Sequence, residues 1–327
     1  MVTAREVRLV RNPKGAPVAE DFAVVETNLG APAPGEVALQ TLILSVDPYQ
    51  RLQMDDPAAL NRVMAGSGVA RVTASRNANF REGELVRHRG GMRDLLLSDG
   101  ANLMKFDVDA DLPLAVQMNA LGGIGLCAYG GLLETGRLRE GEQVFVSAAA
   151  GAVGSLAVQI ARLRGCCVVG SAGSRDKADW IVNDLGANAA INYREQDIAE
   201  ALAAVTPNGV DVYFDNVGGA HLDAALLRMN KNGRIAVCGM ISAYNADSAP
   251  VKLLHKMTWP RVTIKGFGFD EFAHMQSAFR NDMLGWLKSG QIRTRETIFD
   301  GIARVPEALI GLFEGRNCGK MLVRISD

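Results

Sequence analysis

The chain has 327 residues, more than one hydrophobic core usually supports, so its length predicts two domains. Hydrophobic residues make up 48% and charged residues 22%, a balance that excludes disordered and fibrous chains. With 35 basic against 36 acidic side chains, the formal net charge of -1 leaves no footprint for a polyanion and excludes nucleic acid as the main partner.

Met1 to Arg8 contain no apolar stretch of signal-peptide length, and no later window reads as a membrane span, so a cytoplasmic protein with no membrane partner is expected. From about residue 5 to residue 110, short β-rich runs such as 36–44 and 68–72 alternate with Pro/Gly turns, the texture of an irregular barrel. The basic cluster Arg87, His88, Arg89 and Arg93 sits beside Gly90 and Gly91; it reads as a solvated loop, or else as a lure for an anionic substrate. From about residue 120 the pattern becomes βαβ alternation, which implies a parallel sheet covered on both faces. Strands are predicted at 143–147, 167–170, 189–191, 210–215 and 234–239, and five in succession predict a doubly wound α/β sheet. A strand near 262–264, a helix around 275–287 and β-type runs including 320–325 follow. The predicted domains are residues 119–287 for the parallel sheet, and 1–118 with 288–327 for the irregular barrel.

The run from Val144 to Ser155 passes from a buried strand through small residues into a helix. Small side chains let backbone amides approach a pyrophosphate, and the helix N-terminus offers unpaired N–H groups and a favourable dipole. Against the Gly-x-Gly-x-x-Gly fingerprint the first two glycine positions are Ala148 and Ala150, so the strand before and helix after carry the reading. About 20 residues beyond such a turn, NAD-specific chains place a carboxylate on the ribose 2′-hydroxyl. Here the second strand ends in Gly170-Ser171-Ala172-Gly173-Ser174 without one, and Arg175 and Lys177 follow. That arrangement accommodates a 2′-phosphate and points to NADP(H).

Five cysteines (Cys127, Cys166, Cys167, Cys238, Cys318) are odd in number and scattered, and read as reduced, buried thiols. The histidines His88, His221, His255 and His274 make no ligand spacing with them; they read as surface or satisfied core residues, and no metal site is expected.

Several motifs then combine in order: Ser45 to Arg51 (Ser-Val-Asp-Pro-Tyr-Gln-Arg), Ala148 to Ser155, Gly173-Ser174-x-x-Lys177, Asn192-Tyr193, Phe214 to Gly219, Cys238 to Asn245 and Gly315 to Lys320. Over nearly the whole chain this set resembles the zinc-independent branch of the medium-chain dehydrogenase/reductases, which contains prostaglandin reductases, plant alkenal double-bond reductases and bacterial curcumin-reductase-like enzymes. The resemblance implies a Rossmann domain, a GroES-like irregular β-barrel and a homodimer. It implies that Gly151, Ala152, Val153 and Gly154 hold the pyrophosphate and that Lys177 and Tyr193 contact the 2′-phosphate. Asn216, the segment Cys238 to Tyr244 (with Met240 and Ile241), Phe267, Phe269 and Asn317 would line the ribose and nicotinamide. For Asn216 a turn-forming role stands beside this one.

Without zinc ligands, conjugate reduction is the easier chemistry, because hydride addition to the β-carbon of an enone or enal leaves an enolate that needs only a hydrogen bond and a proton. Tyr244 is the first candidate for that proton, with packing over the cofactor as its other reading, and Tyr49 of the Asp-Pro-Tyr motif is the second, with a turn role as its other reading. The chain departs from the family at Trp259, where relatives carry a tyrosine, at Cys127 in place of a threonine, and at Met92, Arg93 and Leu95; these positions bear on substrate choice. The alternatives to an alkene reductase are an NADPH:quinone oxidoreductase and an NADPH-binding sensor or scaffold with little catalysis.

Overall fold

The computed structural model describes residues 1–246 and 250–326. The chain divides into two compact units, Met1–Gln117 with Glu296–Asp327, and Met118–Arg295.

In the first unit, β1 (Val2–Leu9) pairs antiparallel with β2 (Phe22–Leu29). A second, mixed sheet is built on β3 (Val37–Ser45), whose last five residues are buried. After the short helix α1 (Tyr49–Gln53) come β4 (Ser67–Ser75), β5 (Leu85–His88), β6 (Leu95–Ser98) and β7 (Met104–Lys105). The pairing of β3 with β4 shifts register twice, which bends an open sheet toward a barrel.

The segment Leu114–Thr135 contains α2 (Leu114–Ala120) and α3 (Gly123–Gly130). Against the sequence expectation, its 22 residues are long and apolar enough to cross a membrane, but 67% of its apolar window is buried within the protein, as befits a core helix.

The second unit is built on β8 (Gln143–Val146), α4 (Ala152–Leu163), β9 (Cys167–Ala172), α5 (Arg175–Asn183), β10 (Ala189–Asn192), α6 (Ile198–Val205), β11 (Val210–Asp215), α7 (Gly219–Leu226), β12 (Met229–Val237), α8 (Ile241–Tyr244), β13 (Thr263–Gly266) and α9 (Gln276–Lys288). Its six strands run parallel in the order β10-β9-β8-β11-β12-β13. This is the doubly wound arrangement, in which the chain reverses direction across the sheet between β8 and β11 and ligands bind at the carboxyl ends of the strands. Val144, Phe145 and Val146 are all fully buried, and Phe145 stacks on Tyr213 of β11 at 4.8 Å between centroids. Eight consecutive residues of α4, Gly154 to Ala161, are buried, so this helix is embedded rather than laid on the surface.

The chain then returns to the first unit, where β14 (Glu296–Asp300), α10 (Val305–Glu314) and β15 (Lys320–Arg324) complete the mixed sheet in the order β14-β15-β3-β4-β5-β7, with β6 also on β3. The helix α10 packs Val305, Ala308 and Leu309 into a core with Val7, Leu44, Met92 and Val323.

Candidate functional site

In the second unit, β8 runs into a turn of small residues. Ala148 adopts the left-handed region at φ 47°, where the fingerprint would have its first glycine. Gly151 caps α4 with an extended backbone, and a Cβ on Gly154 would overlap the carbonyl oxygen of Ala148, so the turn closes only around glycine there. Because the strain at Ala148 comes from its Cβ, Ala148→Gly is expected to raise stability by about 0.5–1 kcal/mol after allowing for the entropy of a new glycine, read as an upward shift of the urea midpoint.

At the end of β9, Ser174 caps α5 by accepting the Lys177 amide at 3.4 Å, and Gly173 lies beneath the residues that follow β10. Tyr193 is 39% exposed and meets the edge of the His221 ring at 4.9 Å. His221 is buried, its Nε2 has no hydrogen-bond partner among the described residues, and burial pushes its pKa down to about 4. It is therefore neither a surface residue nor a satisfied core one, which corrects the sequence reading.

After β11 the chain turns around Asp215, which is completely buried. Its Oδ1 accepts Tyr213 Oη at 2.6 Å, Ser147 Oγ at 3.2 Å, and the amides of Val217 at 2.9 Å and Gly218 at 2.8 Å. Asn216 donates its Nδ2 to the Ser147 carbonyl at 2.7 Å and its amide to Ser147 Oγ at 2.9 Å, tying this loop to the β8 turn. The Asp215 carbonyl accepts the Cys238 and Gly239 amides, and the Asn216 carbonyl accepts the Ile241 amide at 3.2 Å. Tyr244 folds back so that its Oη accepts the Met240 amide at 3.3 Å. Phe267 packs on Phe214 at 5.9 Å, while Phe269 is 41% exposed. One end of the sheet thus gathers the small-residue turn, Asn216, Cys238, Met240, Ile241, Tyr244 and Phe267.

The cysteines depart from expectation, since only Cys166 is buried and Cys167 is exposed. Cys238 is half-buried as a residue but its thiol is turned inward, and the hydrogen bond with Cys127 first, then desolvation of the sulfur, push that thiol well up; it stays protonated and is a poor nucleophile.

Tyr49 and Asn317 belong to the first unit. Lys320 is 1% exposed, and its Nζ donates to the Val46 carbonyl at 2.7 Å and to Asp47 Oδ1 at 2.9 Å, pinning the turn that presents Tyr49. Tyr49 hydrogen-bonds Ser67; burial first, and then the Asp47 carboxylate, push its phenol up against the opposing pull of Ser67 and Arg89. Asn317 is buried and donates to the Gly319 carbonyl at 2.8 Å, a turn contact.

The basic cluster is a solvated loop only in part, since Arg89 is exposed beyond the end of β5 while its neighbours are held. Arg87 lies over the Phe106 ring at 4.9 Å, His88 is buried against Thr41, and Arg93 pairs with Glu6 at 3.1 Å. Met92 is fully buried in the core of this unit, which takes it out of the set of substrate-choosing positions. Trp259 is 93% exposed. Among the described residues no group of three or more His, Cys, Asp or Glu side chains could hold a metal ion.

Sequence reading missed Lys320, Asp215 and Arg194. The available signals were a lysine directly ahead of the apolar run Met321-Leu322-Val323 and an aspartate closing an apolar strand. A charge in such a place needs a buried partner.

Comparison with known proteins gives the same picture along the whole chain. Residues 5–106 match the family described as the N-terminal domain of oxidoreductase, and residues 152–289 the family described as zinc-binding dehydrogenase. An NADPH-dependent curcumin reductase of Escherichia coli is 37% identical, covering 97% of this chain and 96% of that protein. A 2-alkenal reductase (NADP(+)-dependent) of Nicotiana tabacum is 37% identical, covering 99% and 98%. The crystal structure of CurA from Vibrio vulnificus in complex with NADPH superposes with a TM-score of 0.93 at 38% identity over 99% of both chains. Fold, turn and similarity over the full length agree: the chain belongs to the medium-chain dehydrogenase/reductases, in the branch of the prostaglandin, alkenal and curcumin reductases.

Proposed function

We propose that this protein is an NADPH-dependent reductase of the carbon–carbon double bond in α,β-unsaturated ketones and aldehydes, working without zinc. The observation that carries this reading is the similarity, at 37% identity over 99% of the chain, to an alkenal reductase and, at 38% identity over 89% of the chain, to a (+)-pulegone reductase of plants. The residues present suit the cofactor: the turn at Gly151, Ala152, Val153 and Gly154 brings small residues to the N-terminus of α4, where a pyrophosphate would meet backbone amides, and the β9 end carries no carboxylate to repel a 2′-phosphate beside Lys177 and Tyr193. Asn216, Cys238, Met240, Ile241, Phe267, Phe269 and Asn317 are assigned to the ribose and nicotinamide side. When bound, the reduced nicotinamide supplies a hydride to the substrate β-carbon. The protein then stabilises the enolate oxygen and returns one proton to the α-carbon, so that the substrate gains two hydrogens in all.

Tyr244 is the proposed proton donor. Its Oη uses a lone pair on the Met240 amide, which leaves the O–H available to an acceptor. Tyr244→Phe is expected to lower kcat by about a hundredfold with the affinity for NADPH nearly unchanged. An unchanged kcat excludes it, and a fall in Tyr49→Phe instead assigns the proton to Tyr49, whose raised pKa keeps its phenol protonated past neutral pH.

Oxidation of NADPH by a panel of enones, enals and quinones, set against NADH, tests the whole reading. Turnover of quinones alone makes the protein a quinone oxidoreductase; binding of NADPH with no turnover makes it a sensor or scaffold. We further assign it to the cytoplasm as a homodimer. Supporting the dimer, β13 is a terminal strand of its sheet and Trp259 stands exposed on the segment before it. Sedimentation of the unaltered protein against Trp259→Ser checks this.

A further inference from the structure

Two strand ends converge beside the turn between β9 and α5. The register of the parallel pair sets Asn192 opposite Ala172, so the residues following each strand, Tyr193 and Arg194 on one side and Gly173 and Ser174 on the other, leave the sheet side by side. A Cβ built on Gly173 would lie 2.8 Å from Tyr193 Oη and 3.3 Å from Arg194 Nε. The phenol and the guanidinium therefore both lie over the bare backbone of position 173, at the mouth of a nine-residue helix whose first turn contains Lys177. The Arg194 backbone is set by its own turn, since Asn192 Oδ1 accepts the Arg194 amide at 3.3 Å and Gln196 Oε1 accepts the Asn192 amide at 3.1 Å. Behind Tyr193, the imidazole of buried His221 forms a wall.

A dianionic phosphate monoester in this place would face the Tyr193 hydroxyl, the Arg194 guanidinium and helix-end N–H donors together, with Lys177 on the first turn of the same helix. Only the guanidinium offers two parallel donors to two phosphate oxygens. Arg175, the cation singled out beside Lys177 in the sequence, stands at the first position of α5 and is exposed, and it is not among the described atoms nearest a Cβ at Gly173.

We propose that Arg194 is the second cation of the 2′-phosphate subsite and that, with Lys177, it sets the preference of this protein for 2′-phosphorylated adenine nucleotides over NADH. The proposal rests on the reading that the protein takes NADP(H), and it assigns that selectivity to a side chain reached from β10 as well as to the helix after β9. Glycine at position 173 is then required by the approach of Tyr193 and Arg194.

The test is direct binding to the full-length protein by calorimetry, with NADPH, NADH and adenosine 2′-monophosphate as separate probes. Arg194→Ala is expected to weaken NADPH and adenosine 2′-monophosphate by about tenfold or more, the loss of one charge-assisted bidentate contact, and to leave NADH within about twofold. Arg194→Lys should recover part of the loss because it restores charge without the fork. Gly173→Ala should reproduce the selective loss by displacing Tyr193 and Arg194. Arg194 is exposed, so the melting temperature of Arg194→Ala should stay that of the parent, and binding is then read on folded protein. An unchanged ratio of NADPH to NADH affinity in Arg194→Ala overturns the proposal, as does an equal loss of both. If the unaltered protein binds NADPH and NADH alike, the cofactor reading itself has failed. If Lys177→Ala abolishes the preference while Arg194→Ala leaves it intact, the cofactor reading stands and only Arg194 is wrong.

Discussion

Asp215→Ala is expected to unfold far more easily than the parent, by about 3–5 kcal/mol, because it strips the acceptor from a set of buried donors. Tyr213 Oη, Ser147 Oγ and the amides of Val217 and Gly218 all point at Asp215 Oδ1, and Tyr213 alone of these also donates to a second acceptor, Ser147 Oγ at 3.0 Å. The same loss reaches function, since these groups fix the loop that carries Asn216. Asp215→Asn is expected to cost less than half as much. Its amide oxygen can still accept, and it removes a charge that burial already disfavours, as the upward shift of the Asp215 pKa indicates. A carboxylate whose pKa is raised on folding contributes most below its unfolded value near 3.8 and loses that contribution as pH rises through the folded value. The gap between parent and Asp215→Asn should therefore narrow as pH is raised from 3.8, in urea titrations run upward from that value. A gap that widens would show the charge to be stabilising.

The parallel sheet was legible in the sequence because its strands are buried on both faces and read as unbroken apolar runs, as at Val144-Phe145-Val146 and Val212-Tyr213-Phe214. The strand predicted near 262–264 lies at Thr263–Gly266, a shift expected of an exposed end strand with little apolar signal. The turn at Gly151 to Gly154 was legible because strand, small residues and helix follow one another along the chain. The partners of Asp215 were not, because Ser147 lies 68 residues away and only the β8–β11 pairing brings them together. Arg194 was hidden in the same way: along the chain it is one more charge after a strand, and only the β9–β10 register carries it to Gly173. His88 and Met92 misled for the opposite reason. Their glycine and arginine neighbours have the composition of a loop, yet the alternation of β5 turns His88 inward and the core closes over Met92.

That inward turn of His88, together with buried His221, makes acid the weak side of both units. Each imidazole is pushed from 6.5 down to about 4, by burial in both cases and also by the Arg93 charge for His88. His88 Nδ1 accepts the Gly90 amide at 3.2 Å, so its neutral form carries the proton on Nε2, facing Thr41; protonating Nδ1 breaks that bond. The unfolded chain binds these two protons at a higher pH than the folded chain does. The stability they contribute is complete above about pH 6.5 and is lost as pH falls to about 4, at about 3 kcal/mol for each histidine. With one of these histidines in each unit, a loss of about 3 kcal/mol is a large share of the stability of a typical domain. Glu84, Glu271, Asp300 and Glu307 have lowered pKa values and act only below their ordinary values near 4, while Asp215 works in the opposite sense. The fall between pH 6.5 and 5 therefore belongs to the two histidines. Urea titrations across that range should give a slope approaching two protons, and His88→Gln and His221→Phe should each remove about one of them, the phenyl ring preserving the contact with Tyr193. A slope that survives both substitutions would place the acid sensitivity elsewhere.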